Sequence, residues 1–316
     1  MSDLVLLYEP DSAQHAQVYR EALSAAFPER RIVATTQRAE VLGLAPKAGV
    51  FMAKAQDVSA ELVAAMPNLR WLQALTTGVD PLRALALPPS ILVTSARGIH
   101  GPQMAELAIL LMMALSRDFP RMLDNQRQAR WERWGQPLLT GKTVVIVGVG
   151  NISEALAQRC RPLGLKIVGI SSRTEVAHFD EILPRSRLKE AAGRADFLVL
   201  LLPYSPETHH LVDAGVLAAM KPGSYLLNLA RGGVVDEAAL TEALQQHRIA
   251  GAGLDVFARE PLPPTSPLWG LDNVIITPHI GGMSDVYAEQ LLPLLVHNLR
   301  AHFAGDDAAL LNRVTF

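Results

Sequence analysis

Apolar residues along this 316-residue chain fall into two rhythms, short unbroken runs and helical stripes, and the two alternate. Runs at 4–8, 31–34, 49–53, 71–75 and 91–94 predict strands, with helical spacing at 13–26 and 58–66 between them. From residue 142 the alternation resumes, with strands expected at 142–147, 165–171, 197–202, 225–229, 253–256 and 274–276. Helices are expected from about Asn151, from Pro206, at 237–246 with Asp236 as its cap, and at 285–303. Unbroken apolar runs mark strands buried on both faces, and strands alternating with helices predict parallel sheets covered on both sides. The fold class expected is therefore α/β.

Two stretches interrupt the alternation. Residues 95–102 hold two glycines and a proline, which suits a hinge between domains. The helix expected at 103–117 carries Met104, Leu107, Ala108, Leu111, Met112 and Leu115 at helical spacing, with further apolar residues between them. Such a helix is usually buried against another domain or subunit. A polar helix at 121–130 follows, then Trp131 and Trp134.

Composition narrows the classes. With 49% hydrophobic and 19% charged residues the chain reads as an ordinary folded protein long enough for two domains. A net charge of -2 with no basic run argues against nucleic acid, which requires a cationic footprint. The longest apolar tract, 107–115, is far shorter than a membrane span. Met1-Ser2-Asp3 leads straight into the first strand without a charged leader, and the single Cys160 rules out an internal disulfide, so a cytoplasmic location is expected. Cys160 itself reads as a small buried hydrophobe.

The chemistry begins at residues 142–156, a strand, a glycine turn and a helix start. This is the opening of a dinucleotide-binding βαβ unit, in which Gly148 permits the tight turn. Gly150 lets bare backbone approach a pyrophosphate seated on the positive helix terminus at Asn151 and Ile152. Ser153 occupies the third position of the fingerprint, where glycine or alanine is usual, and its hydroxymethyl group must fit where helix and strand pack closely. About 20 residues on, where an NAD site places Asp or Glu, the chain has Ser171-Ser172-Arg173-Thr174. With no carboxylate there to repel a 2′-phosphate, and with Arg173 and the hydroxyls available to bind it, NADP(H) is expected in preference to NAD(H). Glu175 would weaken that preference if it turned inward.

Three polar groups stand at carboxyl ends of successive strands, where open α/β sheets bind ligands: Arg231, Asp255 with nearby Glu260, and His279. Arg231 suits a substrate carboxylate, because its planar fork matches that group. His279 can give a proton to a carbonyl oxygen while hydride comes from a cofactor, and Glu260 can bond the other imidazole nitrogen and favour the charged ring. Together they suffice for a keto-acid reductase.

With these blocks, together with Gly78-Val79-Asp80, Met104-Ala105-Glu106, Leu139 to Val144, Leu202-Pro203 through Thr208, Met220 to Gly223, Asn228 to Gly233, Gly253 to Phe257 and Thr277 to Gly282, the chain resembles the D-isomer-specific 2-hydroxyacid dehydrogenase family over essentially its whole length. The resemblance implies two doubly wound Rossmann-like domains. The substrate domain, flavodoxin-like and discontinuous, would comprise 1–98 and 283–316, and the inserted cofactor domain 99–282. It implies Arg231, Glu260 and His279 as the catalytic set, with amides of Thr77, Gly78 and Val79 receiving the substrate carboxylate. By the same carry-over the cofactor is lined by Gly148, Gly150, Asn151, Ile152, Ser171–Thr174, Leu202, Pro203, Thr208, Leu229, Ala230, Gly281 and Gly282, and Asp255 contacts the nicotinamide carboxamide.

Glu260 argues against a formate dehydrogenase, which carries Gln there, and the chain's end at Phe316 leaves no room for the regulatory domain of many phosphoglycerate dehydrogenases. The expected activity is NAD(P)H-dependent reduction of a small 2-keto acid of glyoxylate or hydroxypyruvate type to the D-2-hydroxy acid by a homodimer, with no metal. The rivals are a D-lactate-type enzyme with a larger pocket and a nucleotide-sensing binding protein like the C-terminal-binding-protein corepressors. Trp131 and Trp134 resemble tryptophans that reach a partner subunit's active site, or else anchor the dimer helices. Leu75, Thr76, His100 and Met283 are candidates to shape the substrate pocket. The neighbouring His209 and His210 read as surface residues, since no carboxylate or cysteine cluster accompanies them.

Overall fold

The computed structural model describes residues 4–316, leaving Met1-Ser2-Asp3 outside the described residues. The chain divides into two compact units, one comprising Met1–Ile99 with Ser284–Phe316 and the other His100–Met283. In the first unit the order is β1 (Leu4–Tyr8), α1 (Ala13–Ala26), β2 (Ile32–Thr35), α2 (Arg38–Leu44), β3 (Ala48–Ala53), α3 (Ala60–Ala64), β4 (Trp71–Ala74), α4 (Asp80–Arg83) and β5 (Leu92–Thr94). The second holds α5 (Gly101–Ser116), α6 (Phe119–Arg127), β6 (Thr143–Val147), α7 (Asn151–Cys160), β7 (Lys166–Ile170), β8 (Glu181–Leu183), α8 (Leu188–Arg194), β9 (Phe197–Leu200), α9 (Ala214–Ala219), β10 (Tyr225–Asn228), α10 (Glu237–Gln245), β11 (Gly251–Leu254) and β12 (Val274–Ile276). The last helix, α11 (Tyr287–Phe303), belongs to the first unit.

Both sheets are wholly parallel. The first runs β2-β1-β3-β4-β5 and the second β12-β11-β10-β9-β6-β7-β8, so each reverses direction once, beside β1 and beside β6. Both are doubly wound, the first in flavodoxin order and the second in Rossmann order with a seventh strand. Alternate residues of each strand feed opposite faces. In the first unit Val5, Leu7, Val50 and Met52 pack with Tyr19, Leu23, Leu291 and Leu295, while Leu4, Leu6 and Phe51 face Val41 and Leu62. In the second, Val145, Val168 and Leu198 join the α8–α10 side, and Val144, Ile146 and Phe197 join Met112 and Leu156 on the α5–α7 side.

Several elements depart from the sequence pattern. The region beginning at Pro206 forms only a three-residue turn of 3-10 helix, closed by a capping box between Ser205 and Thr208, and the helix that follows starts at Ala214. β8, α2, α8 and α9 have three to seven residues each, too few to show a period. The strand expected at 253–256 begins and ends two residues earlier, because Asp255 and Val256 belong to the following loop. Helix α5 is buried along most of its length, but Leu110 and Met113 are exposed.

Helix α11 is tied to its sheet by a buried polar chain. The Trp71 indole donates to Thr94 Oγ1 (2.8 Å), whose hydroxyl donates to Gln73 Oε1 (2.7 Å), and Asn298 Nδ2 donates to the same oxygen (3.0 Å). Asn298 also accepts from the Leu311 amide at 2.8 Å. An orphaned buried polar group costs about 1–3 kcal/mol. Asn298→Ala is therefore expected to lower unfolding free energy by about that amount in a urea titration, and an unchanged midpoint would show that this chain of bonds contributes nothing.

Candidate active site

The second sheet brings the candidate residues to one edge. Asn228, Leu254 and Ile276 lie side by side in the register of β10, β11 and β12, so the segments carrying Arg231, Asp255 and His279 leave neighbouring strands at the same level. Asn228 shapes the first exit, its side chain donating to Arg231 O (3.1 Å) and accepting from Ala230 N (3.2 Å). The Arg231 guanidinium donates to Ala230 O at 2.7 Å. Gly232 lets that turn press against the loop after β11, since a Cβ would stand 1.8 Å from the Phe257 carbonyl carbon.

Asp255 is buried, and its carboxylate is spent on the segment around His279. Oδ1 accepts from Thr277 Oγ1 (2.6 Å) and Ile280 N (3.0 Å), and Oδ2 from Gly281 N (2.9 Å). His279 is held in the left-handed region at φ 54°, uncommon for a residue with a side chain. Its Nδ1 lies 2.6 Å from Glu260 Oε2, and the other Glu260 oxygen accepts from Phe257 N at 2.9 Å. A carboxylate oxygen can only accept, so Nδ1 donates and Nε2 is left for proton exchange. Both side chains are partly exposed.

His100, a candidate to shape the substrate pocket, lies in the second unit. It is buried at the start of α5, beside Gly282, where a Cβ would sit 3.1 Å from the imidazole Cδ2. Burial, and then the positive charge of Arg231, push its pKa down to about 4. A neutral imidazole therefore lies within the electrostatic reach of Arg231. No sequence period marks it, because its surroundings are tertiary.

At the turn of the second sheet the glycine loop has the expected form. Gly148 has φ 92°, and a Cβ there would lie 2.6 Å from that of Leu202, so the loops after β6 and β9 meet backbone to backbone. A Cβ on Gly150 would meet nothing within 4 Å, which leaves room for a pyrophosphate at the start of α7, where Asn151 and Ile152 begin the helix. Ser153 fits without disturbing the packing: it is wholly buried and donates to Gly148 O at 2.5 Å. The residues present thus fit a dinucleotide. Pro203 and Thr208 form a closed loop in which Thr208 Oγ1 donates to Pro203 O (3.0 Å), and Leu229 and Ala230 are buried beside β10. After β7, Ser171 Oγ accepts from Arg173 N (3.1 Å), and Arg173 Nη1 donates to Glu154 Oε1 at 2.6 Å. Ser172, Arg173 and Thr174 are exposed.

In the first unit the loop 76–79 follows β4. Thr76 Oγ1 donates to Gly78 O (2.8 Å), Thr77 Oγ1 donates to Ala96 O (3.2 Å), and Val79 precedes α4. Leu75 is wholly buried in the core, whereas Met283, in the second unit, is exposed. Trp131 is 89% exposed and Trp134 lies under the Arg121 guanidinium at 4.4 Å. His209 and His210 stack on each other at 3.8 Å on the surface, and among the described residues no group of three or more His, Cys, Asp or Glu is placed to hold a metal. No helix among the described residues is long and apolar enough to cross a membrane. Cys160 is buried, its thiol pKa pushed up to about 12 by that burial.

A family profile described as D-isomer specific 2-hydroxyacid dehydrogenase, NAD binding domain, matches residues 109–281. Among curated relatives, a D-3-phosphoglycerate dehydrogenase from Mycobacterium bovis is 34% identical over 88% of this chain, but the match spans only 53% of that protein's length. A glyoxylate reductase from Thermofilum pendens is 34% identical over 81% of this chain and 78% of its own. Among solved structures, a D-isomer specific 2-hydroxyacid dehydrogenase family protein from Aeromonas salmonicida superposes with a TM-score of 0.91 at 32% identity, covering 100% of this chain and 99% of the other. One from Xanthobacter autotrophicus, in complex with NADPH and MES, has a TM-score of 0.85 at 30% identity, covering 100% and 98%.

The pKa of His100 carries a prediction. Its folded value lies below the 6.5 of the free side chain, so as pH falls below 6.5 the unfolded chain takes up a proton that the folded chain refuses. Stability is lost from there down to about pH 4, where the loss levels off. The difference in unfolding free energy between wild type and His100→Gln should shift in favour of the variant across this window, and a pH-independent difference would contradict the assignment.

Proposed function

This chain belongs to the D-isomer specific 2-hydroxyacid dehydrogenase family, and we propose that it reduces a small 2-keto acid of glyoxylate or hydroxypyruvate type to the D-2-hydroxy acid, using NADPH in preference to NADH. The observation that carries the reading is the His279–Glu260 pair at 2.6 Å, on the strand edge that also bears Arg231. A bound reduced nicotinamide supplies the hydride. His279 Nε2 delivers the proton to the carbonyl oxygen, and Glu260 on Nδ1 fixes the orientation of the ring. Arg231 grips the substrate carboxylate and polarises the adjacent carbonyl. The backbone amides of Thr77, Gly78 and Val79 are a second set of donors for that carboxylate. Asp255 keeps His279 in place through Thr277, Ile280 and Gly281, and its role toward a carboxamide is proposed beside that one.

The unit containing Gly148, Gly150, Asn151 and Ile152 is the proposed cofactor domain, completed by Leu202, Pro203, Thr208, Leu229, Ala230, Gly281 and Gly282. The discontinuous unit is the proposed substrate domain. The NADPH preference rests on Ser171, Ser172, Arg173 and Thr174, which offer hydroxyls and a guanidinium and no carboxylate within that segment. The relative from Thermofilum pendens supports the choice of a small acid, and the NADPH-bound relative from Xanthobacter autotrophicus supports the cofactor. A homodimer is proposed on the exposed apolar residues Leu110, Met113, Phe119 and Trp131.

The test is steady-state turnover of glyoxylate, hydroxypyruvate, pyruvate and phenylpyruvate with NADPH and with NADH. Turnover of the first two with NADPH is expected. Turnover mainly of phenylpyruvate would keep the mechanism and change the substrate, and none at all would favour the binding-protein reading. Arg173→Ala should raise KM for NADPH about tenfold, the scale of one charge-assisted hydrogen bond, with little change for NADH. An equal effect on both cofactors would contradict the assignment of Arg173.

A further inference from the structure

The 171–174 segment holds no carboxylate of its own, but the fold brings one to it from α7. Glu154, in the first turn of α7, reaches the Arg173 guanidinium at 2.6 Å, and both side chains are partly exposed. The two residues are 19 positions apart, and helix and loop flank the same glycine turn. The Arg173 amide also donates to Ser171 Oγ at 3.1 Å. The Glu154 amide donates to Gly150 O at 2.9 Å, which fixes the base of the side chain on the first helical turn.

We propose that Glu154 is a specificity-determining residue, an internal competitor that occupies Arg173 and must be displaced by the 2′-phosphate of NADP(H). The proposal rests on the reading of Arg173 as the 2′-phosphate ligand. One arginine cannot serve both anions with its full set of donors, and a carboxylate left beside a phosphate dianion repels it. Glu154 therefore reduces the margin by which NADP(H) is preferred, while a 2′-hydroxyl, carrying no charge, has no need to break the pair. The residue acts on cofactor selection from the helix, a place where a reading of the 171–174 segment alone does not look.

The experiment is isothermal titration of NADP+, NAD+ and 2′,5′-ADP into wild type, Glu154→Gln, Arg173→Ala and the double variant. Glu154→Gln is expected to tighten NADP+ and 2′,5′-ADP about 2- to 5-fold, the scale of a partly exposed ion pair, and to leave NAD+ unchanged. The gain should disappear in the Arg173→Ala background, as it must if the two side chains act as a pair. Raising salt should shrink the gain. Weaker NADP+ binding in Glu154→Gln would overturn the proposal and make Glu154 a residue that pre-aligns Arg173, and unchanged binding would overturn it by showing that the pair has no bearing on cofactor selection. Equal tightening of NADP+ and NAD+ would overturn it too, since the charge would then be acting on the shared pyrophosphate. If Arg173→Ala weakens both nucleotides alike, the 2′-phosphate reading of Arg173 itself fails, and the competitor role falls with it.

Discussion

The buried carboxylate of Asp255 is the constraint on which the proposed site depends. A carboxylate taken out of water must be repaid by donors, and here Thr277 Oγ1, Ile280 N and Gly281 N all come from one short segment. The cost of burying the charge thus becomes a geometric instruction. It draws the loop after β12 onto the end of β11 and leaves His279 in a left-handed backbone conformation, with its ring against Glu260. Glu260 is fixed in turn by Phe257 N, and Gly232 allows the loop bearing Phe257 to press on the turn that bears Arg231. An acid, a base partner and a cation are thereby positioned by backbone hydrogen bonds and close packing rather than by their own flexible side chains.

The parallel sheet makes this convergence possible. Adjacent parallel strands end at the same level, so each strand delivers its following loop to a shared edge. At the other end of that edge, where the strand order turns at β6, the contact of Gly148 with Leu202 closes the floor beneath the start of α7. The same physical rule, backbone brought within contact where no side chain intervenes, serves both halves of the edge.

Much of this was legible in the sequence. Runs such as Val144 to Val147, Phe197 to Leu200 and Leu226-Leu227 are apolar without alternation because both faces of each strand are covered, and that same burial marks them as parallel strands. The polar residues that end these runs, Arg231, Asp255 and His279, stood out against the pattern. What the sequence concealed has one cause, contact between residues distant along the chain. Ser153 looked like a packing fault, yet its hydroxyl finds Gly148 O. His100 lacked any neighbour in sequence to suggest Arg231, and nothing in the spacing of Glu154 pointed to Arg173, on which the fold sets it. Short elements such as β8 and α9 carry too few residues for a period to emerge.

The account's central claim is that His279 transfers the proton, and single-turnover stopped flow addresses it most directly. Enzyme saturated with NADPH is mixed with glyoxylate, and nicotinamide absorbance is followed in wild type and His279→Gln, alongside NADPH titration of both. The account predicts a rate lower by about 10²- to 10⁴-fold in the variant, with the Kd for NADPH essentially unchanged. A variant that oxidises NADPH at nearly the wild-type rate would contradict it.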